Sequence, residues 1–126
     1  MFSHVMLGAN DIAASQKFYD AVLGTIGIPA GKADPKGRVF WRTKTGVFAI
    51  TKPINGQAAC NGNGSTIGFL AGSLDQVKAF HAAGLANGGT AIEDPPGPRQ
   101  GAAGVLNLCY LLDPAGNKIC ALHREG

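Results

Sequence analysis

His4-Val5-Met6-Leu7-Gly8-Ala9-Asn10-Asp11 and Thr66-Ile67-Gly68-Phe69-Leu70-Ala71-Gly72-Ser73 decide the architecture, because one passage is written twice. An offset of 62 positions carries His4 to Thr66, Asp11 to Ser73 and Phe18 to Phe80 without a gap. Each copy runs from a strand-like stretch to a capping side chain, Asn10 or Asp11 in the first and Ser73 in the second, and then into helical spacing. A repeat this long in a chain of 126 residues makes each copy half a domain. The first copy opens on an imidazole and the second on a hydroxyl. The halves are therefore alike in pattern and unlike in chemistry.

Each half is too small to bury a sufficient core alone, so the two are expected to bury their apolar faces together or against a partner chain. With 45% hydrophobic and 15% charged residues the chain reads as a folded globular protein. The cations are scattered, without a block or an aromatic-interleaved stripe, and this argues against a nucleic-acid partner. The longest apolar uncharged stretch, near Ala102 to Leu112, is too short to span a bilayer. Met1 to Asn10 shows no basic segment followed by an apolar one. The expectation is a cytoplasmic protein with no membrane partner. Cys60, Cys109 and Cys120 form no CxxC motif and read as structural thiols.

Along the chain, Phe2 to Leu7 reads as a strand and Ile12 to Leu23 as a helix, with Ile12, Phe18, Val22 and Leu23 on its apolar face. A short strand is expected over Ile28 to Gly31. Arg38 to Thr43 and Val47 to Lys52 form a hairpin around Lys44-Thr45-Gly46. Module one spans 1–53, a linker rich in Gly, Asn and Ala spans 54–64, and module two spans 65–126. In module two, Ser65 to Ala71 is a strand, and Ser73 with Gln76 is a capping-box signature for a helix reaching Ala86. Thr90 to Glu93 reads as a short strand and Asp94 to Ala103 as a Pro/Gly loop. Val105 to Leu112 and Lys118 to His123 form a last hairpin around Asp113-Pro114-Ala115-Gly116-Asn117. Both modules read βαβββ.

Two βαβββ modules, a strand histidine at His4, the Phe18-Tyr19 pair and the Asp113-Pro114-Ala115-Gly116-Asn117 turn resemble the vicinal oxygen chelate superfamily. This group holds glyoxalase I, bleomycin- and fosfomycin-resistance proteins and extradiol dioxygenases. The resemblance implies an α+β fold in which curved mixed sheets surround a cup, and a homodimer. It implies metal ligands on the first and last strand of each module. Those positions fall on His4, Ala49, Thr66 and Cys120, and only His4 is the expected ligand. Catalytic zinc takes about three protein ligands, and non-haem iron takes two histidines and a carboxylate. The expectation is therefore a cup without the usual metal or another cofactor.

His4 is the candidate catalytic residue, an acid or base with an intrinsic pKa near neutrality. Ala49, Thr66 and Cys120 follow as lining of a cup that would hold a small organic molecule. Trp41 is a candidate stacking platform at the rim, with Arg42 on the opposite face. Tyr110 could offer its hydroxyl, and Arg99, stiffened by Pro-Gly-Pro, could meet an acid at the mouth. The alternative for Trp41 is the core, and for Arg99 a solvated loop. His81 reads as an ordinary helix residue. A basic chain suits a neutral or anionic ligand better than a cationic one. Three functions follow: a metal-free glyoxalase- or dioxygenase-like protein, with lyase or ring-opening chemistry implied if it is an enzyme; a non-enzymatic binder that sequesters a drug; and a metal-dependent lyase or dioxygenase using His4, Cys120 and His123.

Overall fold

The repeat gives two modules that fold alike. The computed structural model describes residues 1–125. Module one runs β1 (His4–Gly8), α1 (Ile12–Gly24), β2 (Lys32–Ala33), β3 (Val39–Arg42) and β4 (Val47–Thr51). Module two runs β5 (Ile67–Leu70), α2 (Leu74–Ala86), β6 (Thr90–Gly101), β7 (Gly104–Leu112) and β8 (Lys118–Arg124). The sheets have the orders β1-β4-β3-β2 and β5-β8-β7-β6. In each, the first strand pairs parallel with the last, and the other pairs are antiparallel. This is the expected α+β pair of mixed sheets, and the two sheets do not close into one. No helix among the described residues is long and apolar enough to cross a membrane.

Both helix starts follow from their caps. The Asp11 carboxylate accepts from the Ala14 N–H at 3.0 Å. Ser73 Oγ accepts from the Gln76 N–H at 3.1 Å, while Gln76 Oε1 accepts from the Gly72 N–H at 2.6 Å. That reciprocity is the one the Ser-x-x-Gln spacing anticipates, displaced by one residue. Phe18, Tyr19, Val22 and Leu23 form the buried stripe of α1, and Val77 and Phe80 that of α2. The helices pack against each other. Gly84 permits this approach: a Cβ there would stand 2.5 Å from Leu111 Cδ1 and 3.2 Å from Phe18 Cε2.

One core serves both modules. Trp41 and Phe48 lie 5.6 Å apart between ring centroids, Phe48 and Phe69 5.1 Å, and Phe69 and Phe80 6.0 Å. This chain of rings crosses the module boundary, so modules of one chain pack together. The turn after β7 completes the join. The Tyr19 hydroxyl donates to Asp113 Oδ2 at 2.6 Å, and Asn117 Nδ2 donates to the Gly8 carbonyl at 2.9 Å.

Two local expectations are corrected. The short strand lies at Lys32–Ala33, not Ile28 to Gly31. The Gly31 N–H there is taken by Asp20 Oδ1 at 2.8 Å, so that stretch is tied to α1 and not to a strand. Asp94 to Ala103 is mostly not a loop: β6 continues to Gly101, with its register shifted between Ile92 and Gly97. Glu93 takes the turn with φ 59, an uncommon value for a residue with a Cβ. The prolines are tolerated because β6 is the outer strand of its sheet.

Candidate functional site on the helix-free face

Strand pairing sorts the side chains. Val39, Trp41, Phe48 and Ile50 face the helices and are buried. The residues between them face away. Phe40 pairs with Ala49 and Ala49 with Met6, while Arg42 pairs with Val47 and Val47 with His4. In module two, Tyr110 pairs with Cys120 and Cys120 with Gly68. Residues of β1 and β5 meet around two cavities at the seam between the sheets. One, of about 590 Å³, is lined from this face by His4, Val47, Gly68 and Leu70 and from the core side by Val5, Ile28, Trp41, Phe48 and Phe69. The other brings Met6 and Gly8 together with Ser65 and Ile67. The open face thus carries one row in each sheet, Phe40–Ala49–Met6 in module one and Gly68–Cys120–Tyr110 in module two.

His4 stands exposed on this face, and its Nδ1 lies 2.8 Å from Ser3 Oγ. A histidine so placed can exchange a hydrogen bond or a proton with a ligand at the seam cavity. Thr66 is exposed and just precedes β5, and it is absent from the cavity that His4 lines. Ala49 faces the right way but is 0% exposed, covered between its cross-strand neighbours. It belongs to the floor and offers no free space. Cys120 is 7% exposed and faces the same way.

The Cys120 thiol is pushed up to about 11, mainly by burial and then by Cys109. It is protonated at neutral pH, and the protonated thiol is neither a good nucleophile nor a good metal ligand. Burial likewise raises Cys109, whose thiol donates to the Val77 carbonyl at 3.5 Å. The exposed thiol is Cys60. Titration of the native protein with a disulfide reagent at pH 7.5 is expected to modify one thiol quickly, at Cys60. The other two should react only after unfolding. Rapid native labelling of Cys120 would contradict its protected, neutral state.

Three candidates are relocated. Trp41 is 1% exposed on the helix side, and its Nε1 donates to Asp20 Oδ1 at 2.9 Å. It packs in the core with its ring bordering the His4 cavity, and Arg42 takes the open face. Arg99 folds back on its own strand, donating to the carbonyls of Asp94, Pro95 and Gly97 at 3.0–3.1 Å. These bonds brace the β6 irregularity and hold the guanidinium there. His123 pairs with Asn107, an odd number of residues from Cys120, and so points to the other face. His4, Cys120 and His123 do not converge. Among the described residues no group of three or more His, Cys, Asp or Glu could hold a metal ion. One imidazole, a methyl, a hydroxyl and a protonated thiol occupy the positions that the resemblance assigns to ligands. This donor set does not fit a divalent cation.

Tyr110 is half-buried with its ring toward the open face, outside the cavity that His4 lines. The Lys118 ammonium lies 4.8 Å from its centroid and pairs with the Glu93 carboxylate. Burial, followed by Cys120 and Glu93, raises the Tyr110 phenol, and Glu93 raises Lys118. Lys118, Glu93, Phe40 and Arg42 were not among the sequence candidates. Pairing Phe40 with Ala49 through the Thr43–Gly46 turn was the available signal, since it turns Trp41 inward and Arg42 outward together. Glu93 carried no such signal, because its place depends on the register shift in β6.

Comparison with known proteins matches residues 1–121 to the Glyoxalase/Bleomycin resistance protein/Dioxygenase superfamily. The crystal structure of a glyoxalase/bleomycin resistance protein from Albidiferax ferrireducens T118 is 64% identical, covering 98% of this chain and 99% of that one, with a TM-score of 0.96. A glyoxalase/bleomycin resistance protein/dioxygenase family enzyme from Burkholderia phytofirmans PsJN has the same fold at 17% identity, covering 98% of each chain, TM-score 0.71. Lactoylglutathione lyase from Agrobacterium tumefaciens does so at 19% identity, covering 98% of this chain and 92% of that one, TM-score 0.67. No curated protein matches. The chain belongs to the Glyoxalase/Bleomycin resistance protein/Dioxygenase superfamily.

Proposed function

We propose that the protein binds a small organic molecule on its helix-free face, at the seam beside His4, without a resident divalent metal. The observation that carries this reading is the donor set. The four positions that the resemblance assigns to ligands hold His4, Ala49, Thr66 and a neutral Cys120, and the cavity beside His4 is lined mainly by apolar side chains, which favours an organic ligand over an ion. The seam cavity of about 590 Å³ is of the size that small-molecule sites use. In this reading His4 exchanges a hydrogen bond or a proton with the ligand, and the small Gly68 leaves room beside it.

Two measurements test it. Elemental analysis of the purified protein is expected to find zinc, nickel, manganese and iron well below one per chain, and a stoichiometric, chelator-sensitive metal would overturn the metal-free reading. The neutral apolar fluorophore N-phenyl-1-naphthylamine is the binding probe. A Cβ at Gly68 would stand 3.2 Å from Cys120 Sγ, so a larger side chain is driven into the seam. Gly68→Phe is expected to weaken the probe about tenfold or more by occupying its place, with circular dichroism showing the fold unchanged. Absence of probe binding, or binding indifferent to Gly68→Phe, would sink the seam as a binding site.

A further inference from the structure

The repeat places one aromatic ring in each module at the equivalent point of its row. Phe40 lies one strand beyond Ala49, and Tyr110 one strand beyond Cys120. Each ring carries cations. The Arg42 and Arg38 guanidiniums lie 4.7 Å and 5.2 Å from the Phe40 centroid, and the Lys118 ammonium lies 4.8 Å from that of Tyr110. The modules differ in how these charges are neutralised. Lys118 is paired with Glu93 and Arg38 with Asp34. Among the described residues Arg42 has no carboxylate partner. Lys32 adds a further cation on the same face, opposite Phe40 in register.

We infer that the ligand is an organic anion, held by its acidic group at Arg42 over Phe40, with its apolar body across Val47 into the seam cavity beside His4. This rests on the binding reading above and names the substrate class of that same site. A guanidinium stacked on a ring has lost much of its rotational freedom while its N–H fork stays open at the edge. It therefore meets a carboxylate, sulfonate or phosphate at a lower ordering cost than a free arginine. Arg38, fixed by Asp34, covers the other side of Phe40 and leaves Arg42 as the open donor. In module two the equivalent cation is already neutralised, so the acid binds on module one. Val47, Gly68 and Leu70 in that cavity present no charge and suit a hydrocarbon or aromatic body. His4 shares the strand row of Arg42, with Val47 between them, and stands beside the bound acid.

Two fluorophores that differ by one group test the inference. 1-Anilinonaphthalene-8-sulfonate carries the anion, and N-phenyl-1-naphthylamine is the same framework without it. At low salt the sulfonate is expected to bind at least tenfold more tightly than the neutral probe. Arg42→Gln should remove about tenfold of that affinity and leave the neutral probe within a factor of two, and Arg42→Lys should restore part of it. Raising ionic strength should weaken the sulfonate alone. If the neutral probe binds and responds to Gly68→Phe while the sulfonate ignores Arg42→Gln, the anion assignment is wrong and the seam site stands. If the neutral probe does not bind, or ignores Gly68→Phe, the seam site falls and the anion assignment with it. Sulfonate binding that ignores both substitutions also overturns the assignment.

Discussion

Replacing Asp113 by alanine is expected to cost about 3–5 kcal/mol of stability and to lower the melting temperature by roughly 10–20 °C. Asp113 is 4% exposed, and both its oxygens are occupied. Oδ1 accepts from the N–H groups of Ala115 and Asn117, each at 2.9 Å, and closes the turn between β7 and β8. Oδ2 accepts from the Tyr19 hydroxyl at 2.6 Å and from Asn117 Nδ2 at 2.9 Å. Asn117 Nδ2 reaches on to the Gly8 carbonyl. One carboxylate thus joins α1, the β7–β8 turn and, through Asn117, the end of β1. Removing it strands buried donors, and each loses about 1–3 kcal/mol of satisfied hydrogen bonding. Asp113→Asn keeps an acceptor for the turn and should cost about half as much. Urea unfolding followed by circular dichroism measures both, and a loss below about 1 kcal/mol for the alanine variant would contradict this role.

The same bond makes stability depend on pH at the alkaline end. Burial first, then the charge and hydrogen bond of Asp113, holds the Tyr19 phenol well above its ordinary 10.0. In the unfolded chain the phenol ionises near 10, so above that pH the folded state binds more protons than the unfolded one. The stability contributed by Tyr19 is therefore complete below pH 10 and is lost as pH rises toward the folded value. Tyr19→Phe should cost about 1–2 kcal/mol at neutral pH and flatten the decline above pH 10.

The fold was legible because the repeat, the two caps and the turn each act locally. Asp11 and Ser73 start helices by bonding N–H groups three residues on, and such spacing is visible in any sequence. The Asp113-Pro114-Ala115-Gly116-Asn117 turn was also visible, but its weight was not, because its partners Tyr19 and Gly8 are more than ninety residues away. The open face was read less well. Alternation tells which residues share a face but not which face meets the helices, and a tryptophan suits either. The Glu93–Lys118 pair needed the register shift inside β6, which a run of Asp, Pro and Gly disguises as a loop. The hydrogen bonds of Arg99 were hidden for a related reason: its partners are carbonyls of Asp94, Pro95 and Gly97 within that irregularity.

Trp41 offers the test that separates core from ligand platform, because a stacking residue at a rim and a buried ring respond differently to replacement. Trp41→Ala is expected to cost about 4 kcal/mol, since it empties a fully enclosed indole site beside Tyr19 and Phe48. It also leaves Asp20 Oδ1 with the Gly31 N–H alone. Gly31 lies so close that a Cβ there would stand 2.6 Å from Trp41 Cε2, so the loop after α1 is shaped to this ring and should loosen with it. Trp41→Phe keeps most of the aromatic packing and loses the Asp20 bond, for an expected cost of about 1–3 kcal/mol. If Trp41 belongs to the core, Trp41→Phe binds N-phenyl-1-naphthylamine within a factor of two of the parent while melting at a lower temperature. A rim platform predicts the reverse, weakened binding with unchanged stability. As the sole tryptophan, Trp41 also reports directly: in the parent its fluorescence should resist quenching by iodide, because the ring is 1% exposed, and its emission should change when the probe enters the cavity that it borders.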